Sequence, residues 1–307
     1  MESNGIRGET VRNYGATFRT FRQNKGYTLQ QVATGIVSVS FLSKFERGDS
    51  DISFSVMVEL LDRIMVTFEE FYFLHNEGKS HAIEEFFNAA EKAYIHRDLI
   101  TLNELKAQAL RSYQSTNHIP FHCNALLLDV YQAMIQKEEV DVTDDSLQLL
   151  MNYLFDIEVW GYYELSLYNS TLFLLPPESV ITFSETIYKK SVSMNKLPLV
   201  HNIFIRILLN TITYLTGGKD PHFAYEQECR TFMDYLKQSD IPERDLHARI
   251  AFMQAQGYVD VRIGNIKRGV NRLERAIAMY EELGADELAW QSSSYLNIFL
   301  NKSDTER

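Results

Sequence analysis

Apolar residues recur at helical spacing along nearly the whole chain, and no stretch alternates apolar and polar residues as a half-buried strand would. Phe18 with Phe21, Val32 with Ala33, and Leu42 with Phe45 mark the inward faces of three short helices near the start. Ser53 can cap a fourth over 54–65, with Val56, Leu60, Leu61 and Ile64 on one side. Thr67 and Glu70 form a capping box that opens a fifth helix, with Phe71 and Leu74 inward. Residues 76–80, Asn-Glu-Gly-Lys-Ser, make a plausible hinge, which sets a domain boundary between 77 and 78. Beyond it lie amphipathic segments such as 124–138, 144–155, 199–215 and 223–237. The prolines Pro120, Pro176, Pro177, Pro198, Pro221 and Pro242 fall at the breaks between such segments. The pattern predicts an all-α protein in which a small five-helix domain precedes a long array of helices.

The stretch 28–48 is the most informative. Thr28 and Gln31 form another capping box, and Ala33 is small enough to let a neighbouring helix cross closely. Gly35 can end this helix in a left-handed conformation, and Ser38 can cap the next. Leu42 and Phe45 then share a buried face, which leaves Val39, Ser40, Ser43 and Lys44 pointing elsewhere. Two short helices joined by a tight turn, the second with small polar side chains outward, suit insertion into a DNA major groove. Any well-capped helical hairpin shares part of this pattern.

Charge favours the first alternative. The formal net charge of the chain is −11, which argues against general affinity for nucleic acid. Residues 7–47 nevertheless carry seven Lys and Arg against two Glu, a net of +5. A basic face on an acidic body suits a protein that meets DNA through one surface only. Arg19 and Arg22 are expected on one polar side of the first helix, where they could hold phosphates and fix register.

The run VRNYGATFRTFRQNKGYTLQQVATGIVSVSFLSKFERGDSDIS resembles the N-terminal domain of the Rgg/GadR/MutR family of Gram-positive transcriptional regulators. SVSFLSKFERGDSDIS is its specific part, and the wider kinship is to the XRE-type, Cro/repressor-like helix-turn-helix. The close resemblance covers about residues 10–75. It implies a five-helix DNA-binding domain followed by a tetratricopeptide-like α-solenoid that dimerises and binds a short peptide pheromone. The recognition helix would span about 38–45. Arg12, Arg19 and Arg22 would then meet the DNA backbone, with Thr28, Gln31 and Ser38 at the helix starts. Val39, Ser40, Ser43 and Lys44 would meet base edges. Some relatives carry a cysteine just past the recognition helix that can link subunits. Here that neighbourhood reads Ser53-Phe54-Ser55, so this link is impossible.

The second region carries few chemical motifs. Gly257-Tyr258, Gly269, Ala276, Tyr280, Leu283-Gly284 and Ala289 resemble a tetratricopeptide repeat in part. No nucleophile elbow, phosphate-binding loop or HExxH motif occurs, and the pairs Glu138-Glu139 and Asp144-Asp145 read as solvated acids. His118, His122 and Cys123 lie close together, but Pro120 interrupts their spacing and no second ligand pair is evident. No enzyme activity, metal or cofactor is expected. Cys123 and Cys229 read as buried thiols of a reducing compartment, and no run of apolar residues is long enough to suggest a membrane span. A soluble, cytoplasmic protein follows.

An extended peptide needs partners for its backbone once buried, and asparagine offers both donor and acceptor. Asn202, Arg206 and Asn210 fall at i, i+4 and i+8 on one face of an otherwise apolar helix. They read equally as a ligand-binding row or an exposed outer face. Asn124, Asn152, Tyr153 and Tyr168 are secondary candidates for the same groove, while Trp160 and Glu164 read as packing residues. These expectations describe a homodimeric regulator on a pseudo-palindromic DNA site, controlled by a peptide. A peptide-independent regulator and a protein-interaction scaffold are the alternatives.

Overall fold

The computed structural model describes residues 13–136, 144–190, 197–217 and 223–304. Arg7, Arg12, Glu138, Glu139, Gly218, Lys219 and Pro221 lie outside the described residues. Within them every regular element is helical, as the periodicity predicts. The chain divides into two compact units, the first ending at Glu91 and the second starting at Lys92.

The first unit opens with α1 (Tyr14–Asn24), α2 (Leu29–Ala33), α3 (Val39–Arg47), α4 (Phe54–Arg63) and α5 (Phe68–His75). Local chemistry sets their boundaries. Both capping boxes form, at Thr28 with Gln31 and at Thr67 with Glu70. Ser38 and Ser53 cap α3 and α4, and Gly48 ends α3 at φ 83°. The Thr67 backbone and hydroxyl hold the Glu70 carboxyl below the usual carboxylate range. Phe18, Val32, Leu42, Leu60 and Ile64 are fully buried in the common core.

One glycine decides how deeply α3 seats. A Cβ on Gly15 would lie 1.8 Å from the carbonyl oxygen of Phe45, so α1 and α3 touch backbone to backbone there. One expectation fails in this unit. Leu74 is exposed rather than inward, because α5 turns Phe71 to the core instead. His75 is half-buried: its ring stacks on Tyr14 at 4.0 Å, and its Nδ1 lies 3.0 Å from the Thr17 hydroxyl.

α6 (Ala82–Ile95) carries the chain across the division between units. The second unit continues with α7 (Leu99–Thr116), α8 (Ile119–Gln136), α9 (Asp144–Asp156) and α10 (Tyr162–Thr171). After a short 3-10 turn come α11 (Pro177–Lys190), α12 (Pro198–Thr216) and α13 (Glu226–Gln238). The last three are α14 (Leu246–Arg262), α15 (Ile266–Glu282) and α16 (Asp286–Asp304). Pro120, Pro177 and Pro198 stand in the first turns of α8, α11 and α12, where a missing N–H costs nothing. Pro120 therefore begins a helix that starts five residues before the expected 124.

α7 packs with α8, α11 with α12 and α14 with α15, and α8, α10, α12 and α14 also touch in succession. That is the arrangement of an α-solenoid. The tightest pair is α14 with α15. A Cβ on Gly269 would meet the Gly257 carbonyl oxygen at 2.6 Å, and one on Gly257 would meet Leu273 at 2.7 Å. Alternate stacking does not make a straight rod here. The Arg97 guanidinium lies over the Trp290 ring, 5.4 Å from its centroid, so the last helix returns to the start of the unit. Both thiols are buried, and burial pushes each up to about 12.

Replacing Gly269 with alanine should force α14 and α15 apart. The expected loss is about 1–3 kcal/mol in denaturant unfolding of the full chain, with far-UV circular dichroism retained at zero denaturant. An unchanged midpoint would show that the helices do not meet at these glycines.

Candidate functional site

α3 lies with Leu42, Phe45 and Glu46 buried, which turns the opposite side outward. Ser40 and Lys44 are exposed, and Ser38 stands exposed at the N-cap with its hydroxyl accepting from Phe41 N. Val39 and Ser43 are half-buried: Val39 packs against the core, and the Ser43 hydroxyl accepts from Arg47 at 2.7 Å. Arg47 also donates to Asp49, so a charged network edges the helix that the sequence reading left unassigned. At the start of α2 the Gln31 side-chain oxygen accepts from Thr28 N at 2.8 Å, which fixes both exposed residues in the capping box. Arg63 of α4 donates to the carbonyls of Gln31 and Thr34, closing the other end of α2.

Arg19 and Arg22 part company. Arg19 is exposed as expected. Arg22 is buried, and its guanidinium forks onto the Glu46 carboxylate at 2.5 and 2.7 Å. A third hydrogen bond runs from Arg22 to the Tyr27 carbonyl at 2.7 Å. The hydrogen bond to Glu46 holds the guanidinium above its ordinary value, against the opposing effect of burial. Arg22 thus cannot hold a phosphate. It follows Phe18 by four residues and Gly15 by seven, so it lies on the face of α1 that meets α3.

In the second unit α12 is the central helix. α10, α11, α13 and α14 all pack against it, and most of its apolar residues are buried. Among the described helices it alone is long and apolar enough to cross a bilayer, yet it forms this unit's own core. Asn202, Arg206 and Asn210 occupy the strip that those four neighbours leave uncovered, and all three are exposed. Asn210 donates to Asn169 of α10 at 2.9 Å. Tyr295 of α16 approaches the same strip, donating to the Thr213 carbonyl. Polar bridges continue from helix to helix. Tyr131 of α8 donates to Ser170 of α10, and Gln132 of α8 to Asn103 of α7.

The secondary candidates fare differently. Tyr168 is fully buried, donating to the Val180 carbonyl and sharing a hydrogen bond with Ser184, which in turn meets Thr211. It cannot line a groove, because α8, α11 and α12 enclose α10 on the strip Tyr168 shares with Leu165 and Leu172. Asn124 is also buried, accepting from Tyr163. Tyr153 is half-buried and donates to Glu164, which accepts from Gly161 N to cap α10. Asn152 is exposed on α9 and accepts from Gln148. The packing reading of Trp160 stands: its ring meets Tyr168 and Phe183 edge to face and tilted, at 5.5 and 5.7 Å.

Comparison with known proteins bears on both surfaces. A family model described as the C-terminal domain of the HTH-type transcriptional regulator Rgg matches residues 102–293, and a helix-turn-helix model matches 18–71. The Streptococcus dysgalactiae SHP pheromone receptor Rgg2 is 20% identical, with 92% of this chain and 98% of that one covered at a TM-score of 0.74. A candidate transcriptional regulator from Listeria monocytogenes EGD-e is 21% identical, covering 96% and 99% at 0.78. A bacterial peptide pheromone/receptor complex is 15% identical, covering 94% and 98% at 0.70. At such identities the three structures share the fold.

The buried pair is open to test without a ligand. Glu46→Ala leaves the Arg22 charge uncompensated and should cost about 3–5 kcal/mol. Replacing both residues, as in Arg22→Met with Glu46→Leu, should cost much less, because no charge is stranded. Denaturant unfolding of the full chain measures both, and equal losses would rule out a strongly coupled pair.

Proposed function

This chain belongs to the Rgg family of HTH-type transcriptional regulators, and on that premise we propose a cytoplasmic, homodimeric regulator that a short peptide controls. Residues 1–77 form its DNA-reading part and 78–307 its dimerisation and peptide-binding part. This proposed boundary lies 14 residues before the division of the compact units at Glu91, and the left-handed backbone of Glu77 and Gly78, at φ 58° and 85°, supports a chain turn there. The reading assigns no catalytic step.

The outward face of α3 enters the major groove. Ser40 and Lys44 meet base edges, flanked by Val39 and Ser43, while Ser38, Thr28 and Gln31 lie at the helix starts that approach the backbone. Arg19, exposed on α1, holds a phosphate. The exposure of Ser40, Lys44 and Arg19 supports this reading. Two copies would set their α3 helices about 34 Å apart, one turn of DNA.

The observation that carries the peptide reading is the row Asn202, Arg206 and Asn210. Four neighbours cover the rest of a strongly apolar helix, and the uncovered strip is polar and exposed. Asparagines there can accept and donate to the backbone of an extended peptide, and Arg206 can meet a carboxylate. Similar structures include a pheromone receptor and a peptide pheromone complex, which fits this use of the surface. Bound peptide would shift the protein between arrangements of its DNA-reading parts, provided it prefers one of them.

Arg19→Ala should weaken binding to every duplex and lower the salt slope by about 0.9. Lys44→Ala should instead change which sequence is preferred, by about 1–3 kcal/mol at the affected base pair. Gel shifts across a panel of single-base operator variants distinguish the two, and a uniform loss for Lys44→Ala would remove it from the base-reading set.

Calorimetry with short peptides encoded beside the gene tests the second surface. Asn202→Ala and Asn210→Ala should each weaken a binding peptide about tenfold, or roughly 1.4 kcal/mol. If no such peptide binds and both variants leave promoter output unchanged, the peptide reading fails.

A further inference from the structure

α15 carries a second basic surface that the reading above does not use. Residues 262–275 hold five Lys and Arg against one acidic residue, Glu274, within a chain of net charge −11. Lys267, Arg268 and Arg275 are exposed and share roughly a third of the helix circumference. Lys267 and Arg275 stand about 12 Å apart along the helix axis. Asp260 of α14, nearly buried, holds Arg272 in a short ion pair and Arg268 at 3.3 Å, from beneath the exposed face. Among the described residues Lys267 and Arg275 make no ion pair and no side-chain hydrogen bond.

These cations do not serve the helix itself. The first turn of α15 has no acidic residue and the last turn no basic one. Lys267 and Arg268 sit at its positive end and Glu281 and Glu282 at its negative end, so both ends oppose the helix dipole. The exposed face offers no large apolar side chain either, as an anchor for a protein partner would require. Nor does it offer an exposed aromatic ring on which single-stranded bases could stack.

We propose that this face of α15 is a second contact for duplex DNA, which binds phosphates outside the site that α3 reads. Lys267 and Arg268 at one end of a stretch of about 12 Å and Arg275 at the other, with Glu274 as the acidic residue beside them, span three to four base-pair steps of a duplex. A family member that reads DNA through one unit gains sequence-independent affinity from a second basic surface. Nothing in this depends on a peptide.

The test uses the full-length protein and a labelled random-sequence duplex of about 40 base pairs, titrated by fluorescence anisotropy across a potassium chloride series. Replacing Lys267, Arg268 and Arg275 together with Gln should lower the salt slope by about two to three and weaken binding at least tenfold at about 0.1 M salt. The charge-keeping variant K267R/R268K/R275K should match the parent and so separate charge from folding. A glutamine variant with the parent's slope overturns the proposal, as does equal loss in the charge-keeping variant. Tight binding of poly-L-glutamate that requires these three residues, with duplex binding unchanged, would assign the face to an acidic protein and overturn it too.

Discussion

The buried fork between Arg22 and Glu46 fixes the helix that the rest of this regulator exists to present. Desolvating both charges leaves little net stability in such a pair. What it supplies is geometry. Two parallel N–H···O bonds define the rotation of α3 about its own axis, since a slip by one residue would strand both charges. Gly15 supplies the other coordinate, because only a residue without Cβ lets α1 come down onto the Phe45 carbonyl. Depth and rotation together decide that Ser40 and Lys44 face away from the core. Neither constraint alone would do so, for the apolar contacts of Leu42 and Phe45 are non-directional and tolerate a range of angles.

α12 solves a different problem by exclusion. A helix of its apolar composition is stable in water only when nearly surrounded, and four neighbours supply that cover. The strip they leave must be polar, and Asn202, Arg206 and Asn210 are what the chain puts there. The central helix is therefore both the unit's core and the carrier of one exposed polar strip. Any contact made on that strip bears directly on an element that packs against four others.

Legibility followed the range of the interactions. Capping boxes, N-cap serines and the αL glycine at 35 are read from a few adjacent residues, and all were plain in the sequence. So was the exposure of the α12 row, which follows from one helix's own periodicity. Arg22 was misread because its fate depends on Glu46, which the fold brings to it across the helix-turn-helix. A signal existed: Arg22 shares a face with Phe18 and with a glycine, and α3 carries a carboxylate among its apolar positions. Tyr168 and Asn124 were misplaced for a related reason. Each lies on a helix enclosed on several sides, where periodicity no longer separates an inner polar strip from a buried hydroxyl network such as Tyr168, Ser184 and Thr211.

Electrostatics adds a criterion that pattern alone lacks. Acidic side chains outnumber Lys and Arg by 41 to 30, so carboxylates are plentiful for any cation the fold needs to neutralise. Cations that build structure are tied down: Arg22 to Glu46, Arg63 to the end of α2, and Arg272 to Asp260. Arg19 and Lys44 stay unpaired among the described residues and exposed within the basic segment 7–47. Forming a surface ion pair would gain at most about 1 kcal/mol, whereas leaving the charge free preserves it for a phosphate. In an acidic chain, a cation that is solvent-facing and without a carboxylate is therefore more informative than a basic residue counted from composition. Cations of that kind mark where such a protein can approach DNA while its remaining surface repels it.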